Sequence, residues 1–532
     1  MNILRSTRFL RESWPWLVVL FVVGVAVRLV LIWVYPVVYG GDSVMRMMNA
    51  DRVLIAYQLP LLQVLIFGAN VLSQDPVTLR YLMAAVGGLA GVAFYWLSSL
   101  LWGREVGLLC TLFFIFNPFI LVHSLVPYQE ILMLLLLCLG LAILFERDCP
   151  HNLLLASLFL GLACLTRYEA WIATTTAAWF HWSRSRARRA RLFTWKSSWM
   201  IIVLFGWAPV LWIGLHRGLS PSGTFVLEGF REWDRLYRIP YILMMTIRHA
   251  EVPGALLAVL GCLEFWRTSR WKDLRVQMLI LATAAFFVAL VFSAHGVLPD
   301  PIRYVTDRES HWPLLILLWA TGLGAYRLGS WLAVSVQQPA LRSAAPLATL
   351  RWAVYSGLLV ACLFWGIYQT RARIVGLTSA PNLQLDHAVA RYLDEHLPHN
   401  QNALILAEPV PATAIQDYLE RARQRSGTEG WRAARKVVEA LDIGPFDYSR
   451  TSVNSRFGKT RFFHPAQLAK FASQDLMQTL RCLRIRFVVL FANYLPSSYW
   501  ESQLVEFVRR RCKRNVDITG PEQMASVFEI PD

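Results

Sequence analysis

The chain has 532 residues, of which 56% are hydrophobic and only 16% are charged, and its formal net charge is +17. Soluble domains have roughly 25% charged residues, so this composition excludes an ordinary soluble protein and indicates a polytopic membrane protein. The basic residues fall in short runs between apolar segments, which is typical of cytoplasmic loops and argues against a nucleic-acid-binding protein.

The first apolar segment, Trp14–Tyr35, is interrupted only by Arg28 and is long enough, at about 20 residues, to span a membrane. Arginines precede the segment and no small-residue cleavage site follows it, so we predict an uncleaved helix with the N-terminus in the cytoplasm. An arginine inside a membrane helix is costly, so Arg28 should have a buried partner, which the sequence does not identify.

The charged stretch Tyr39–Arg52 follows, and it contains Asp42 and Arg46. Ionisable residues at a bilayer edge usually have a task, although an ordinary solvated loop is the alternative. The next segment, Val53–Leu72, is apolar but is broken by glutamine, proline and glycine, so we predict interfacial helices in this first outer loop.

Later apolar segments bring the prediction to about 11 transmembrane helices. They are 79–102, 106–126, 129–146, 151–166, 168–182, 197–215, 251–267, 275–298, 312–333 and 352–370. This topology places two basic segments, Arg184–Lys196 and Arg267–Arg275, in the cytoplasm, as the positive-inside rule requires. A span at Val53–Leu72 would place both segments outside.

With this topology, ionisable residues gather at the outer face. The candidates are Asp42, Glu130, Arg46, Arg167, Glu169, Arg303, Arg308 and His311. Structural alternatives stay open: Asp42 could cap a helix, Glu130 could sit at a favourable helix N-terminus, and the others could pair or anchor at the interface. The segment Pro221–Ala250 is predicted to be a mobile loop with an interfacial helix.

Short motifs follow one another through the predicted spans. They are G-G-D-S at 40–43, Q-L-P-L at 58–61, L-R-Y-L at 79–82, N-P-F at 117–119, V-P-Y-Q-E at 126–130, G-L-A-C-L-T-R-Y-E at 161–169 and I-R-Y at 302–304. In order and spacing the chain resembles the GT-C superfamily of integral membrane glycosyltransferases, and it is most similar to the protein O-mannosyltransferase, aminoarabinose transferase and RgtA-like branch. The resemblance implies a GT-C-like transmembrane catalytic domain at 1–370.

The resemblance also implies the activity, an inverting transfer of a sugar from a polyprenyl-phosphate-linked donor to a lipid, glycan or protein acceptor. The active site would be at the outer, periplasmic face of the inner (cytoplasmic) membrane. Asp42 falls on the family's first-loop acid, the general base or acceptor-orienting carboxylate, and Glu130 falls on the second outer carboxylate. This chain has Ser43 where the family often has a second acid, and it lacks the histidine before Pro60.

The chemistry of the candidate residues agrees with this activity. Sugar transfer needs a group that takes the acceptor proton, and a partly desolvated carboxylate such as Asp42 is suited to this task. Cations must stabilise the leaving phosphate, and the planar guanidinium of arginine binds two of its oxygens. We therefore expect substrate or phosphate binding by the remaining candidates, which are Arg46, Arg167, Glu169, Arg303, Arg308 and His311.

A divalent cation, Mg²⁺ or Mn²⁺, held by Asp42, Glu130 and a phosphate is chemically possible, but no ligand cluster with diagnostic spacing is present and no metal ligand is assigned. The alternative function is a transporter or flippase of polyprenyl-linked lipids without bond chemistry. Such a protein should show internal repeats and broken helices at the bilayer midplane. We find no repeat, which favours the enzyme.

Residues 371–532 have a different composition, with more charge and no long apolar run, and predict an extracytoplasmic soluble α/β domain. The predicted helices are Asn382–Leu397, Gln467–Leu483 and Gln503–Arg511, and the predicted strands are Ala403–Ala407, Phe487–Phe491 and Ala525–Ile530. This domain contains Cys482 and Cys512, and their spacing leaves a disulfide bond between them open.

Overall fold

The computed structural model describes residues 3–35, 46, 59–72, 76–146, 150–188, 195–219, 238–292, 310–335, parts of 353–373, 381–396, 402–406, 437–440, 476–482, 485–492, 499–519 and 524–531. The chain divides into two compact units. The first comprises Met1–Val34, Tyr57–Leu62 and Arg80–Ala372, and the second comprises Tyr35–Ala56, Gln63–Leu79 and Arg373–Asp532. A domain boundary at residue 370 stays a prediction.

The membrane part is helical, as predicted. Its helices are α1 (Ile3–Val34), α2 (Leu61–Leu72), α3 (Pro76–Trp102), α4 (Arg104–Phe116), α5 (Pro118–His123), α6 (Gln129–Glu146), α7 (Pro150–Cys164), α8 (Glu169–Arg188), α9 (Trp195–Leu219), α10 (Arg238–Arg267), α11 (Leu274–Phe292) and α12 (His311–Ser335). Within the described ranges, four helical segments are long and apolar enough to cross a membrane: Ser13–Val34, Thr78–Trp102, Gln129–Glu146 and Arg238–Arg267. The polytopic α-helical class is thereby confirmed.

Helix α2 forms the second part of Val53–Leu72, the segment predicted to contain interfacial helices. It has 12 residues, so it is about 18 Å long, against the roughly 30 Å of a bilayer's hydrocarbon core. This helix is too short to be a span by itself. Residues 53–58 lie outside the described part of the chain.

The single continuous helix predicted at 106–126 is wrong, because two helices, α4 and α5, meet at Asn117. Proline lacks an amide N–H and disfavours helical backbone in the preceding residue, and Asn117 before Pro118 is indeed extended, with φ −63° and ψ 122°. The Asn117 side chain then accepts hydrogen bonds from the amides of Phe119 and Ile120, both at 3.1 Å. The N-P-F motif therefore ends one helix and caps the next.

Helix α10 begins at Arg238, well before the predicted span start at residue 251, so the end of the segment predicted as a mobile loop with an interfacial helix is helical and continuous with that span. The backbone breaks at Glu251, with φ 62° and ψ 161°, close to Pro253. Helices α10 and α12 pack closely: a Cβ on Gly261 would lie 1.7 Å from the Ala320 carbonyl oxygen, and one on Gly324 would lie 1.8 Å from that of Leu257. Only glycine allows this approach of the two backbones.

The second unit contains a five-stranded sheet in the order β2-β1-β3-β5-β4. Its elements are α13 (Pro381–His396), β1 (Asn402–Leu406), β2 (Val437–Ala440), α14 (Leu476–Cys482), β3 (Ile485–Phe491), α15 (Tyr499–Arg511), β4 (Lys513–Thr519) and β5 (Met524–Glu529). Strand β1 pairs in parallel with β2 and β3, and β5 pairs in antiparallel orientation with β3 and β4. The α/β prediction is confirmed, and Cys512 is buried with a free thiol.

Candidate functional site

The first group of site residues is an acid–arginine cluster formed by Glu130, Arg167 and Glu169. Glu130 lies in the first turn of α6 and is completely buried. Glu169 is the first residue of α8, and Arg167 lies in the turn that joins α7 to α8. The cluster therefore combines the starts of two helices with the turn before one of them.

Arg167 binds both carboxylates of this cluster. Its Nε donates to the two carboxylate oxygens of Glu169 at 2.9 Å each, and its Nη2 also binds Glu169. Its Nη1 binds Glu130, so the guanidinium lies between the two acids. With all groups ionised the cluster carries one net negative charge.

Helix geometry adds to the stability of this arrangement. Both acids lie at helix N-termini, where the backbone dipole and exposed amide groups favour negative charge. Arg167 is 7% exposed and Glu130 is 0% exposed, so water screens this pair far less than it screens a surface pair. We infer that the fold holds the carboxylates of Glu130 and Glu169 around the guanidinium of Arg167.

The second group is a histidine cluster formed by His123, His249 and His311 around the ring of Phe119. His123 Nδ1 lies 3.1 Å from His311 Nε2, within hydrogen-bonding distance. Phe119 stacks on His249 with ring centroids 3.7 Å apart, and it also contacts the rings of His311 and His123 at 4.4 and 4.2 Å. All three imidazoles are buried, and they come from α5, α10 and α12.

The turn between α5 and α6, residues Ser124–Tyr128, links the two clusters along the chain. The Tyr128 ring packs edge-on against His123 with centroids 5.0 Å apart, and Glu130 follows two residues later. We call this segment the α5–α6 turn. Its position relative to the bundle therefore determines where both Glu130 and His123 lie.

The structure brings together some of the predicted site residues and leaves others outside its described ranges. Glu130, Arg167 and Glu169 meet in the acid–arginine cluster, and His311 belongs to the histidine cluster. Arg46, in the second unit, is buried, and its carbonyl accepts a hydrogen bond of 3.2 Å from Gln63. Asp42, Arg303 and Arg308 lie outside the described residues, so their roles stay predictions.

Sequence reasoning missed His123 and His249, and it assigned no role to Arg80 although this arginine lies in the L-R-Y-L motif. A single histidine in an apolar helix carries no spacing signal, because its partners come from distant parts of the chain. His123 and His311 are 188 residues apart in sequence. For the buried arginines there was one signal in the sequence: burying an arginine is costly, so Arg28 was predicted to have a buried partner.

The divalent cation that the sequence left open stays a prediction. Over the described ranges, no group of three or more histidine, cysteine, aspartate or glutamate side chains has the geometry to hold a metal ion. The proposed ligand Asp42 lies outside those ranges. We therefore derive no reaction step through a metal.

No protein-family model matches this sequence, and no curated protein sequence matches it. Solved structures do match its fold. The apo structure of ArnT from Cupriavidus metallidurans superposes with a TM-score of 0.57 at 14% identity, covering 97% of this chain and 98% of that one. ArnT bound to undecaprenyl phosphate gives 0.56 at 12% identity, over 96% and 97% of the two chains.

The apo oligosaccharyltransferase from Archaeoglobus fulgidus gives a TM-score of 0.50 at 12% identity, covering 91% of this chain and 70% of that one. At such low identity these matches establish the fold. The matches bear out the fold that the GT-C resemblance implied, and the match to ArnT extends over nearly the whole chain.

Proposed function

We propose that this chain is an integral membrane enzyme, an inverting glycosyltransferase that moves a sugar from a polyprenyl-phosphate-linked donor to an acceptor at the outer face of the inner membrane. The observation that carries the proposal is the buried acid–arginine cluster on a GT-C fold. Buried charges in a membrane protein are costly and are usually retained for function. A polyprenyl phosphate is the donor carrier that fits, because ArnT of the same fold binds undecaprenyl phosphate.

In the proposed reaction Asp42 takes the proton from the acceptor as its oxygen attacks the anomeric carbon of the sugar. The bond to the lipid phosphate breaks on the opposite side, so the configuration inverts. Glu130 orients the acceptor. Arg46, Arg303, Arg308 and His311 bind the phosphate as it gains negative charge, because a cation is most effective where charge develops.

Arg167 has a different task in this proposal. Its guanidinium already contacts Glu130 and Glu169, so its positive charge is balanced within the cluster. We assign it to holding these two carboxylates in place. Fixed groups lower the barrier because they need little rearrangement during the reaction.

The test is a transfer assay in liposomes with undecaprenyl-phosphate-linked sugars and mixed lipid, glycan and peptide acceptors, measuring released undecaprenyl phosphate and glycosylated product. Asp42→Asn and Glu130→Gln are each expected to lower turnover at least about 100-fold. The matched control Glu264→Gln alters an acid that pairs with the exposed Arg267 and should retain turnover.

Equal turnover by the parent and Asp42→Asn would remove the base assignment. A labelled lipid that crosses the bilayer intact, with no product formed, would support the transporter alternative.

A further inference from the structure

Two buried arginines from different helices hold the α5–α6 turn. Arg28 of α1 donates from Nε to the Ser124 hydroxyl at 2.6 Å, and Arg80 of α3 donates from Nε to the Leu125 carbonyl at 2.9 Å. Arg28 is 0% exposed and Arg80 is 5% exposed. Adjacent residues of one turn are therefore bound by side chains from two different helices.

Burying the charged side chain of Arg28 at this position is energetically unfavourable. Its hydrogen bonds go to the Ser124 hydroxyl and to the Gly24 carbonyl of its own helix, so no carboxylate balances its charge among the described residues. Its Nη2 has no hydrogen-bond partner among them. A buried guanidinium without an acid is poor at stabilising a fold, which indicates another reason for its presence.

Glycines make room for the Arg28 side chain between α1 and α3. A Cβ on Gly87 would lie 2.3 Å from Arg28 Nε, and a Cβ on Gly24 would lie 3.2 Å from the Gly88 Cα. The close approach of the two helices encloses the guanidinium group. The close packing beside Gly87 therefore limits the directions in which Arg28 can point.

Further hydrogen bonds connect the residue that Arg28 contacts to the turn before Glu130. The Ser124 hydroxyl that accepts from Arg28 donates to the Leu121 carbonyl at 2.8 Å, so it joins the arginine to the end of α5. The Tyr128 amide bonds to the Val126 carbonyl at 2.7 Å, which closes the turn just before Glu130. A shift of the turn would consequently move Glu130 relative to Arg167.

We propose that Arg28 and Arg80 are positioning residues, which hold the α5–α6 turn so that Glu130 keeps its place in the acid–arginine cluster. This inference rests on the proposed glycosyl transfer. Neither arginine touches the reacting atoms in this role. Their effect passes through the Ser124 and Leu125 oxygens.

The experiment compares the parent with Arg28→Met, Arg80→Met, Ser124→Ala and Arg28→Lys in the full chain. Arg327→Met is the matched control, because Arg327 lies on α12 and is about half exposed beside Glu264. Hydrogen exchange of the peptide covering 124–130 reports on the turn without any substrate. Melting temperature reports on folding, and kcat and KM for an undecaprenyl-phosphate-linked sugar report on the reaction.

We expect exchange of this peptide to rise at least about ten-fold in Arg28→Met, Arg80→Met and Ser124→Ala, and kcat to fall at least about ten-fold with a much smaller change in KM. Arg28→Lys keeps a donor that can reach Ser124 and should recover part of the kcat. Arg327→Met should change neither quantity.

A lower melting temperature in Arg28→Met with unchanged exchange at 124–130 and unchanged kcat would overturn the proposal, since it would show a packing role alone. So would an unchanged kcat in Ser124→Ala despite faster exchange. Faster exchange together with no transfer by the parent would support the hold on the turn and overturn the proposed reaction instead.

Discussion

At the scale of single residues, the same pair of residue types occurs in two different environments in this chain. Arg167 forks onto Glu169 with its Nε and Nη2 while buried, and Arg267 forks onto Glu264 at 2.9 Å while 61% exposed. Exposed ion pairs contribute little because water and salt screen them. A buried arginine between two acids, by contrast, cannot lose its partner without leaving charge unbalanced.

This contrast predicts different outcomes for one conservative change. Arg167→Lys replaces a planar fork by a single ammonium group, which cannot hold Glu130 and Glu169 in the same geometry, so we expect a loss of about 2–4 kcal/mol of stability. Arg267→Lys should change stability far less, because solvent screens this exposed pair. Thermal unfolding of both variants in detergent measures the difference, and equal losses would contradict a special role for the buried pair.

At the scale of elements, the long apolar helices and the strongly patterned strands of the second unit were predictable, because their periodicity depends on local sequence. The break at Asn117 was not, since a proline within an apolar run can be tolerated or can end a helix, and the carbonyl of His249 helps to decide which. Strand β4 was also missed. Its sequence K-R-N-V-D-I-T is mostly exposed at a sheet edge, and its two alternating apolar residues, Val516 and Ile518, are too short a pattern to predict a strand.

The candidate site was predictable to a similar extent. Glu130, Arg167 and Glu169 could be selected because charged residues at span ends are unusual. That one arginine joins both acids could not be predicted, since the two acids lie on helices separated in sequence. The histidine cluster could not be predicted, because its residues come from distant parts of the chain and meet only when the helices pack.

The cap at Asn117 gives a prediction about α5. Asn117→Ala removes the acceptor for two α5 amides and also the 2.8 Å hydrogen bond to the His249 carbonyl, so we expect a loss of about 2–3 kcal/mol. Asn117→Ser keeps a capping hydroxyl but loses the reach to His249, and it should recover about 1 kcal/mol. Melting temperatures of the two variants would contradict this account if serine were no better than alanine.

The β4–β5 hairpin gives a prediction about pH. The hydroxyl of Ser526 and the guanidinium of Arg514 lower the pKa of Asp517 from its ordinary value of 3.8. A lowered carboxyl pKa adds stability that is fully present above the unfolded value and is lost as pH falls through the folded value. Asp517→Asn should therefore speed hydrogen exchange of β5 equally at all pH values well above 3.8.

The parent and the variant should converge as pH falls further, through the lowered pKa of the folded protein, because the parent's carboxyl then also becomes protonated. The comparison is made at each pH, so the intrinsic pH dependence of exchange cancels. A difference between parent and variant that grows toward low pH would have the opposite sign and would contradict the prediction.

At the scale of the whole molecule, one chain combines a helical membrane unit with a unit that contains a five-stranded α/β sheet. The match to ArnT covers 97% of this chain, so it includes both kinds of architecture. In the first unit, the buried charges of Arg28, Glu130 and Arg167 depend on hydrogen-bond partners that the packing of the helices holds in place. The sheet has a separate apolar core, which includes Val488, Val489 and Val527.

The proposed topology can be tested with reporter fusions to the full chain or to truncated chains. Alkaline phosphatase fused after Asp532 should be active, because it would lie outside the cytoplasm. The same enzyme fused within Arg184–Lys196 should be inactive, since this basic segment is expected inside. The reverse pattern would indicate that Val53–Leu72 crosses the membrane and would place Glu130 on the cytoplasmic side.

The close contact between α10 and α12 affects how a mutational survey of this protein should be interpreted. Gly261 and Gly324 leave no space for even one methyl group, so nearly every substitution there should abolish the folded protein. Such positions should be as intolerant in a growth-based screen as the proposed base Asp42, although they perform no chemistry. Protein abundance measured alongside growth would separate the two kinds of intolerance, because a catalytic loss leaves the amount of protein unchanged.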